Sequence, residues 1–141
     1  MPRFFLAILD TMWGVEGDAP HRFTINPRNH SGRRLYRLTG ASEGELWVTN
    51  ACPEQTRHAS LHGTPSTDWL RQSFSQIPAR WRAAPLLVCG AVAQRTYNSM
   101  MAERRPRFSH RGPVIYTLHP AARTWTKAMI ANMQKQIQRS Q

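Results

Sequence analysis

The sequence predicts one α/β domain over residues 1–141, a three-layer fold with a central four-stranded, mostly parallel sheet flanked by helices. Three observations carry this expectation. Four short apolar runs each end in a turn or polar residue, as buried parallel strands do. Helix-like segments alternate with those runs. A length of 141 residues fits one hydrophobic core and leaves little room for a second.

Taken in order, residues 21–25 (HRFTI) form the first strand candidate and run into Asn26-Pro27. Leu46–Asn50 (LWVTN) runs into Ala51-Cys52-Pro53. A helix over Thr67–Ser75, with Thr67 as its cap, puts Leu70 and Phe74 on one face. Leu86–Cys89 (LLVC) ends at Gly90, and a helix over residues 91–101 follows at once. Residues 114–118 (VIYTL) end at His119-Pro120. Pro120 suits a first helical position, and the last helix carries Trp125, Met129, Met133 and Ile137 at four-residue spacing, a stripe that reads as core. Lys135 and Arg139 fall near its C-terminus, where the helix dipole favours cations.

Phe4 to Leu9 is apolar and Asp10 ends it. Six such residues are too few for a signal-peptide core or a membrane span, so a cytoplasmic protein with no membrane partner is expected. In that reducing compartment Cys52 and Cys89 read as free thiols.

The chain has 19 Lys plus Arg against 8 Asp plus Glu, a formal charge of +11. With 40% hydrophobic and 9% aromatic residues, it is too apolar for a disordered basic tail. Only Lys127 and Lys135 are lysines. The arginine fork matches phosphates and base edges in two-point contacts, which points to a polyanionic partner, most simply nucleic acid. A ribosome-associated protein, or a genome rich in G and C, accounts for the charge equally well.

In parallel sheets the ligand crevice opens at the carboxyl ends of the strands. Asn26, Asn50 and His119 follow predicted strands and are therefore expected to converge on one cleft. A carboxamide offers both donor and acceptor, which suits a water or a base edge, although Asn-Pro also makes a plain turn. For Asn50 the readings of a pyrimidine-edge reader and an Asx turn stand level. A histidine at His119 suits hydrogen bonding to an oxygen that becomes anionic as a bond breaks.

Five segments together resemble the uracil-DNA glycosylase superfamily, over about residues 21–138. Ile25-Asn26-Pro27 is similar to its Asn-Pro-Gly first motif. Residues 31–40 (SGRRLYRLTG) are similar to the Gly-Arg-Pro-Phe segment of its iron–sulfur-carrying branches. Leu46–Asn50 looks like the strand that ends in the base-reading asparagine. Residues 86–93 (LLVCGAVA) look like the leucine-glycine-alanine turn from strand to helix. Thr117-Leu118-His119-Pro120-Ala121 looks like the closing His-Pro-Ser motif.

The resemblance implies a monofunctional DNA glycosylase that works without cofactor or metal, as a monomer, on a flipped-out pyrimidine nucleotide of DNA. Asn26 would place the water, and Asn50 would bind the base beside Pro27, Leu35 and Tyr36. His119 would steady the departing base. Arg123 stands where the family often carries a leucine wedge. Arg28, Arg33, Arg104, Arg105 and Arg107 would meet phosphates. A solvated loop is the plainer reading of residues 104–111.

The departures have consequences. Arg28 replaces a glycine, Leu35 a stacking phenylalanine, and Ala121 a serine. Two cysteines cannot hold a four-iron cluster. No tyrosine follows Pro27 to block a C5 substituent, so the pocket is expected to admit pyrimidines larger than uracil. A catalytically silent DNA-binding relative remains the alternative, and an RNA- or ribosome-binding module would rest on charge alone. Repair, viral replication and defence against modified viral DNA all fit.

Two further constellations are weaker. Cys52, His58, His62 and Cys89 invite a zinc site, but Pro53, Gly63 and Pro65 interrupt the region and no CxxC pair exists. The acidic residues Asp10, Glu16, Asp18 and Glu103 are scattered, and none follows a predicted strand. Trp13, Trp47 and Trp69 read as packing residues. Trp81, between Arg80 and Arg82, is the one most open to stacking on a base, with burial the better reading.

Overall fold

A computed structural model describes residues 4–10, 12–13, 30–53, 55–56, 63–103, 110–119 and 125–139. Six strands are present among them: β1 (Phe5–Leu9), β2 (Met12–Trp13), β3 (Leu46–Asn50), β4 (Gln55–Thr56), β5 (Leu86–Cys89) and β6 (Val114–Thr117). The helices are α1 (His30–Thr39), α2 (Thr67–Ser75), α3 (Ala91–Ala102) and α4 (Lys127–Arg139), with a 3-10 turn at Ala79–Trp81. The main sheet runs in the order β3-β1-β5-β6 and every pairing in it is parallel. β2 and β4 form a small parallel pair beyond the ends of β1 and β3.

The expected α/β sandwich is therefore present, but one strand differs. The fourth strand of the described sheet is β1, and residues 21–25 lie outside the described residues. The sequence FLAIL is apolar throughout, as a strand covered on both faces must be, and all five residues are buried. Weighing the run only as a membrane or export signal missed it. Asp10 therefore follows a strand after all.

Alternation along the strands divides the core into two layers. Leu6, Ile8, Trp47 and Val88 pack with Leu70 and Phe74 of α2 and with Ala93, Tyr97 and Met100 of α3. Phe5, Ala7, Leu46, Val48, Leu87 and Ile115 pack with Leu35 and Leu38 of α1 and with Met133 and Ile137 of α4. Helix α1 was not expected from the sequence. Its signal is weak, because Leu35 and Leu38 are its only large aliphatic residues among three arginines and a glycine.

The helix starts also depart slightly from expectation. Ser66, not Thr67, caps α2: its backbone is extended and its hydroxyl accepts the Trp69 N–H at 3.1 Å. The last helix begins at Lys127, well after Pro120, with Thr126 Oγ1 accepting from Met129 N at 3.2 Å. Trp125 and Ile130 flank that cap in the spacing of a hydrophobic staple, and both pack on the core. Of the expected stripe, Met133 and Ile137 are buried.

Trp81 is buried, tilted against Phe4 with ring centroids 4.5 Å apart, so it offers no face to a base. Near Phe74, His110 Nε2 donates to the Ala84 carbonyl at 2.7 Å. Since a carbonyl only accepts, Nε2 carries the proton. Burial holds the His110 pKa below the ordinary value of 6.5. The unfolded chain thus binds the proton more tightly, and stability is complete above pH 6.5 and declines as pH falls below it. The urea midpoint is expected to drop between pH 7 and 5, and His110→Gln, which keeps a donor, to flatten that slope. An equally steep decline in the variant would refute the assignment.

Candidate functional site

The register sets up one rim. Leu9 pairs with Asn50, Ile8 with Val88, and Cys89 with Thr117, so the four parallel strands end almost level. The residues at or just past those ends are, in spatial order, Asn50, Asp10, Gly90 and His119. With neighbouring strands about 4.8 Å apart, the rim is roughly 14 Å long.

All four helices start at this rim. Phe5 N donates to Glu45 O at 2.8 Å, which fixes the C-terminal end of α1 at the opposite, amino edge of the sheet. Helices α2 and α3 start from Ser66, bonded to Ala51 O, and from Gly90; α4 starts after Trp125. Their dipoles add positive potential where an anion or developing negative charge would sit. Moreover, β1 leads to α1 on one face while its neighbours β3 and β5 lead to α2 and α3 on the other. Such a switch opens a crevice at the carboxyl end of the middle strand, which is where Asp10 stands.

Each rim residue is held by backbone. Cys52 N donates to Asp10 O at 3.0 Å, continuing the β1–β3 ladder, and the Cys52 thiol points at Asp10 Oδ1 at 3.7 Å. Asn50 is buried, and its carbonyl accepts the Trp69 indole N–H at 3.1 Å. Strand alternation turns its side chain to the α1–α4 face, opposite Thr49, which bonds Ser73 of α2. The buried side-chain atoms without a partner among the described residues are Trp81 Nε1 and Arg82 Nε, so the Asn50 carboxamide is not stranded in the core.

His119 is fixed from two sides. Its carbonyl accepts the Trp125 indole N–H at 2.8 Å. Gly90, with φ +92°, lies so close that a Cβ on it would stand 3.0 Å from the His119 Cβ. Gly90 N also donates to Thr117 O at 2.9 Å, and Gln94 Nε2 reaches the same carbonyl at 3.2 Å. The glycine is required both for its left-handed backbone and for this approach.

Of the residues expected at the site, the structure brings Asn50 and His119 to one rim, on its opposite edge strands. Asn26, Pro27, Arg28, Arg104, Arg105, Arg107 and Arg123 lie outside the described residues. Leu35 is fully buried in the core and presents no surface to a base. Tyr36 packs on the same core, its hydroxyl pKa raised by burial and by Glu43, which lies in the segment joining α1 to the amino end of β3. Neither therefore sits with Asn50 and His119. Arg33 is exposed on α1. Asp10 is the rim residue that sequence reasoning passed over, and its signal was an apolar five-residue run closed by an acid.

Cys52 and Cys89 are both buried free thiols, and burial pushes the Cys89 pKa up to about 12, which removes it as a nucleophile at neutral pH. His58 and His62 of the weighed zinc set lie outside the described residues. Among the described residues no three His, Cys, Asp or Glu side chains come together as metal ligands. No helix among them is long and apolar enough to cross a membrane. No protein-family model matches the sequence, and a search of curated proteins finds no match.

Proposed function

We propose that this chain is a monofunctional DNA glycosylase, hydrolysing the N-glycosidic bond of uracil or a C5-substituted pyrimidine. The observation that carries the reading is the rim itself: a carboxylate, a carboxamide and an imidazole at the carboxyl ends of three parallel strands. Those three groups suit the three tasks of the reaction. Asn50 reads the edge of an extruded base through its donor and acceptor. Asp10 orients a water and takes its proton as the oxygen bonds to the anomeric carbon. The carbon–nitrogen bond breaks, its electron pair leaves with the base, and His119 donates a hydrogen bond to the base O2, where that charge collects. Solvent then protonates the base anion, and an abasic site remains.

In this assignment Asp10 takes the place after the first strand that the sequence resemblance gave to Asn26. Positioning supplies much of the rate, since reactants held in line avoid an entropic cost of several kcal/mol.

The test is an abasic-site assay on oligonucleotides carrying uracil or C5-modified pyrimidines. Release from at least one substrate is expected, with Asp10→Asn losing release but retaining DNA binding. Binding with no release from any base would replace the enzyme by a silent DNA-binding relative. Release unaffected by Asp10→Asn but abolished by Asn26→Ala would return the water to Asn26.

A further inference from the structure

The two helical layers carry very different charge. Helices α1 and α4 contribute Arg33, Arg34, Arg37, Lys127, Lys135 and Arg139, with no acidic residue in either. On the other face α2 and α3 contribute Arg71 and Arg95 against Asp68, and Arg71 is already engaged by Asp68 at 3.0 Å and by Glu103. The net positive charge of the described helices is thus concentrated on one side of the sheet.

That side also has a built feature. A recess of about 190 Å³ lies between α1 and α4, lined by Arg34, Arg37, Leu38, Trp125 and Ile130. The Arg34 guanidinium lies over the Trp125 ring, 5.2 Å from its centroid. Trp125 is the same side chain that holds the His119 carbonyl, so the recess adjoins the rim. Arg33 and Arg37 are exposed one turn apart on α1, and Lys127 and Lys135 are exposed on α4.

We propose that the outer face of α1 and α4 is a second nucleic-acid surface, which holds the phosphodiester backbone of a strand leaving the rim, with the exposed Arg33 and Arg37 of α1 and Lys135 of α4 as its anchor. Charge complementarity argues for the occupant. A helix of 13 residues is about 20 Å long, matching the rise of about six nucleotides. A lipid surface fits less well. The large exposed apolar residues among those described are Met101 and Tyr116, on α3 and β6, so this face has no apolar anchor to insert. The proposal rests on DNA as the partner but not on base release.

The experiment compares two triple variants with the same change in charge. One is Arg33→Gln, Arg37→Gln, Lys135→Gln on the proposed face. The other is Arg80→Gln, Arg95→Gln, Arg111→Gln, three exposed arginines elsewhere. Binding to a 20-nucleotide DNA without modified bases is measured against salt, with folding checked by thermal melts. Each lost phosphate contact flattens the log–log salt dependence by about 0.7–0.9, so the first triple is expected to flatten it by roughly two and the second by little. Equal flattening by both, or by neither, overturns the proposal. So does loss of binding to phosphatidylserine vesicles with DNA binding intact. Because the oligonucleotide carries no cleavable base, the result stands apart from the abasic-site assay.

Discussion

Gly112→Ala is expected to cost the fold more than about 3 kcal/mol at 25 °C. Gly112 has an ordinary backbone, so the obstacle is space alone. A Cβ there would stand 2.2 Å from the Ala84 carbonyl oxygen and 2.6 Å from that of Ala83. Both obstacles are backbone, and both sides are pinned. Arg111 N donates to Arg82 O at 2.7 Å, Leu86 N donates to Pro113 O at 2.8 Å, and the Ala84 carbonyl is already bonded to His110. Separating the strands to admit a methyl group would break the β5–β6 pairing at its start. Overpacking ordinarily costs about 1–3 kcal/mol, and here several hydrogen bonds are lost with it. A loss above about 3 kcal/mol removes much of the 5–15 kcal/mol that holds a domain together. Gly44→Ala is the control. Nothing lies within 4 Å of a Cβ there, and only the left-handed φ of +85° is strained, at a cost of about 1–2 kcal/mol. Urea melts that rank the two variants in the opposite order would refute the packing argument.

The layered fold was legible because the strands β3, β5 and β6 are short apolar runs closed by polar or turn residues, and α2 and α3 sit between them. What escaped was physically different in each case. FLAIL is apolar without alternation, and such a run looks the same whether it is a fully buried strand, a buried helix or a fragment of a membrane segment. Its position at the centre of the sheet decides the matter, and that is a property of pairing, not of the run. Helix α1 escaped because three arginines and a glycine dilute its apolar face. The cap of α2 fell on Ser66 because either hydroxyl of Ser66-Thr67 can accept an N–H, and only the extended backbone at Ser66 chooses between them.

The site shows the same division. The rule that ligands gather at carboxyl strand ends located Asn50 and His119 without any structure, because it needs only the strand ends. It missed Asp10 because the strand before it was missed. Leu35 was drawn in by motif alignment, whereas its helical position turns it inward with Leu38. Arginine content pointed to a polyanion, and the fold adds that α1 and α4 hold six cations and no acidic residue.

His119→Ala is expected to lower base release by about 10²–10³-fold, the scale on which one donor to a developing anion acts, while DNA binding persists. Gly90→Ala is expected to reproduce part of that loss without touching the imidazole. Its φ of +92° with ψ of 169° belongs to a region open essentially to glycine, so any other residue there is strained by about 1–3 kcal/mol. The Cβ would also stand 3.0 Å from the His119 Cβ, tight enough that one of the two must shift. His119 has little freedom to absorb the shift in place, because Trp125 holds its carbonyl and Gly90 N itself fixes Thr117 two residues before it. Displacement of the imidazole by a few tenths of an ångström is therefore expected, and a misplaced donor loses part of its effect on rate. The two effects separate by measurement. Strain lowers the urea midpoint of Gly90→Ala but not of His119→Ala, whereas displacement lowers release in both. A double variant no slower than His119→Ala alone would show that Gly90 acts through the histidine. Losses that multiply would assign Gly90 a separate role at the rim and overturn the coupling.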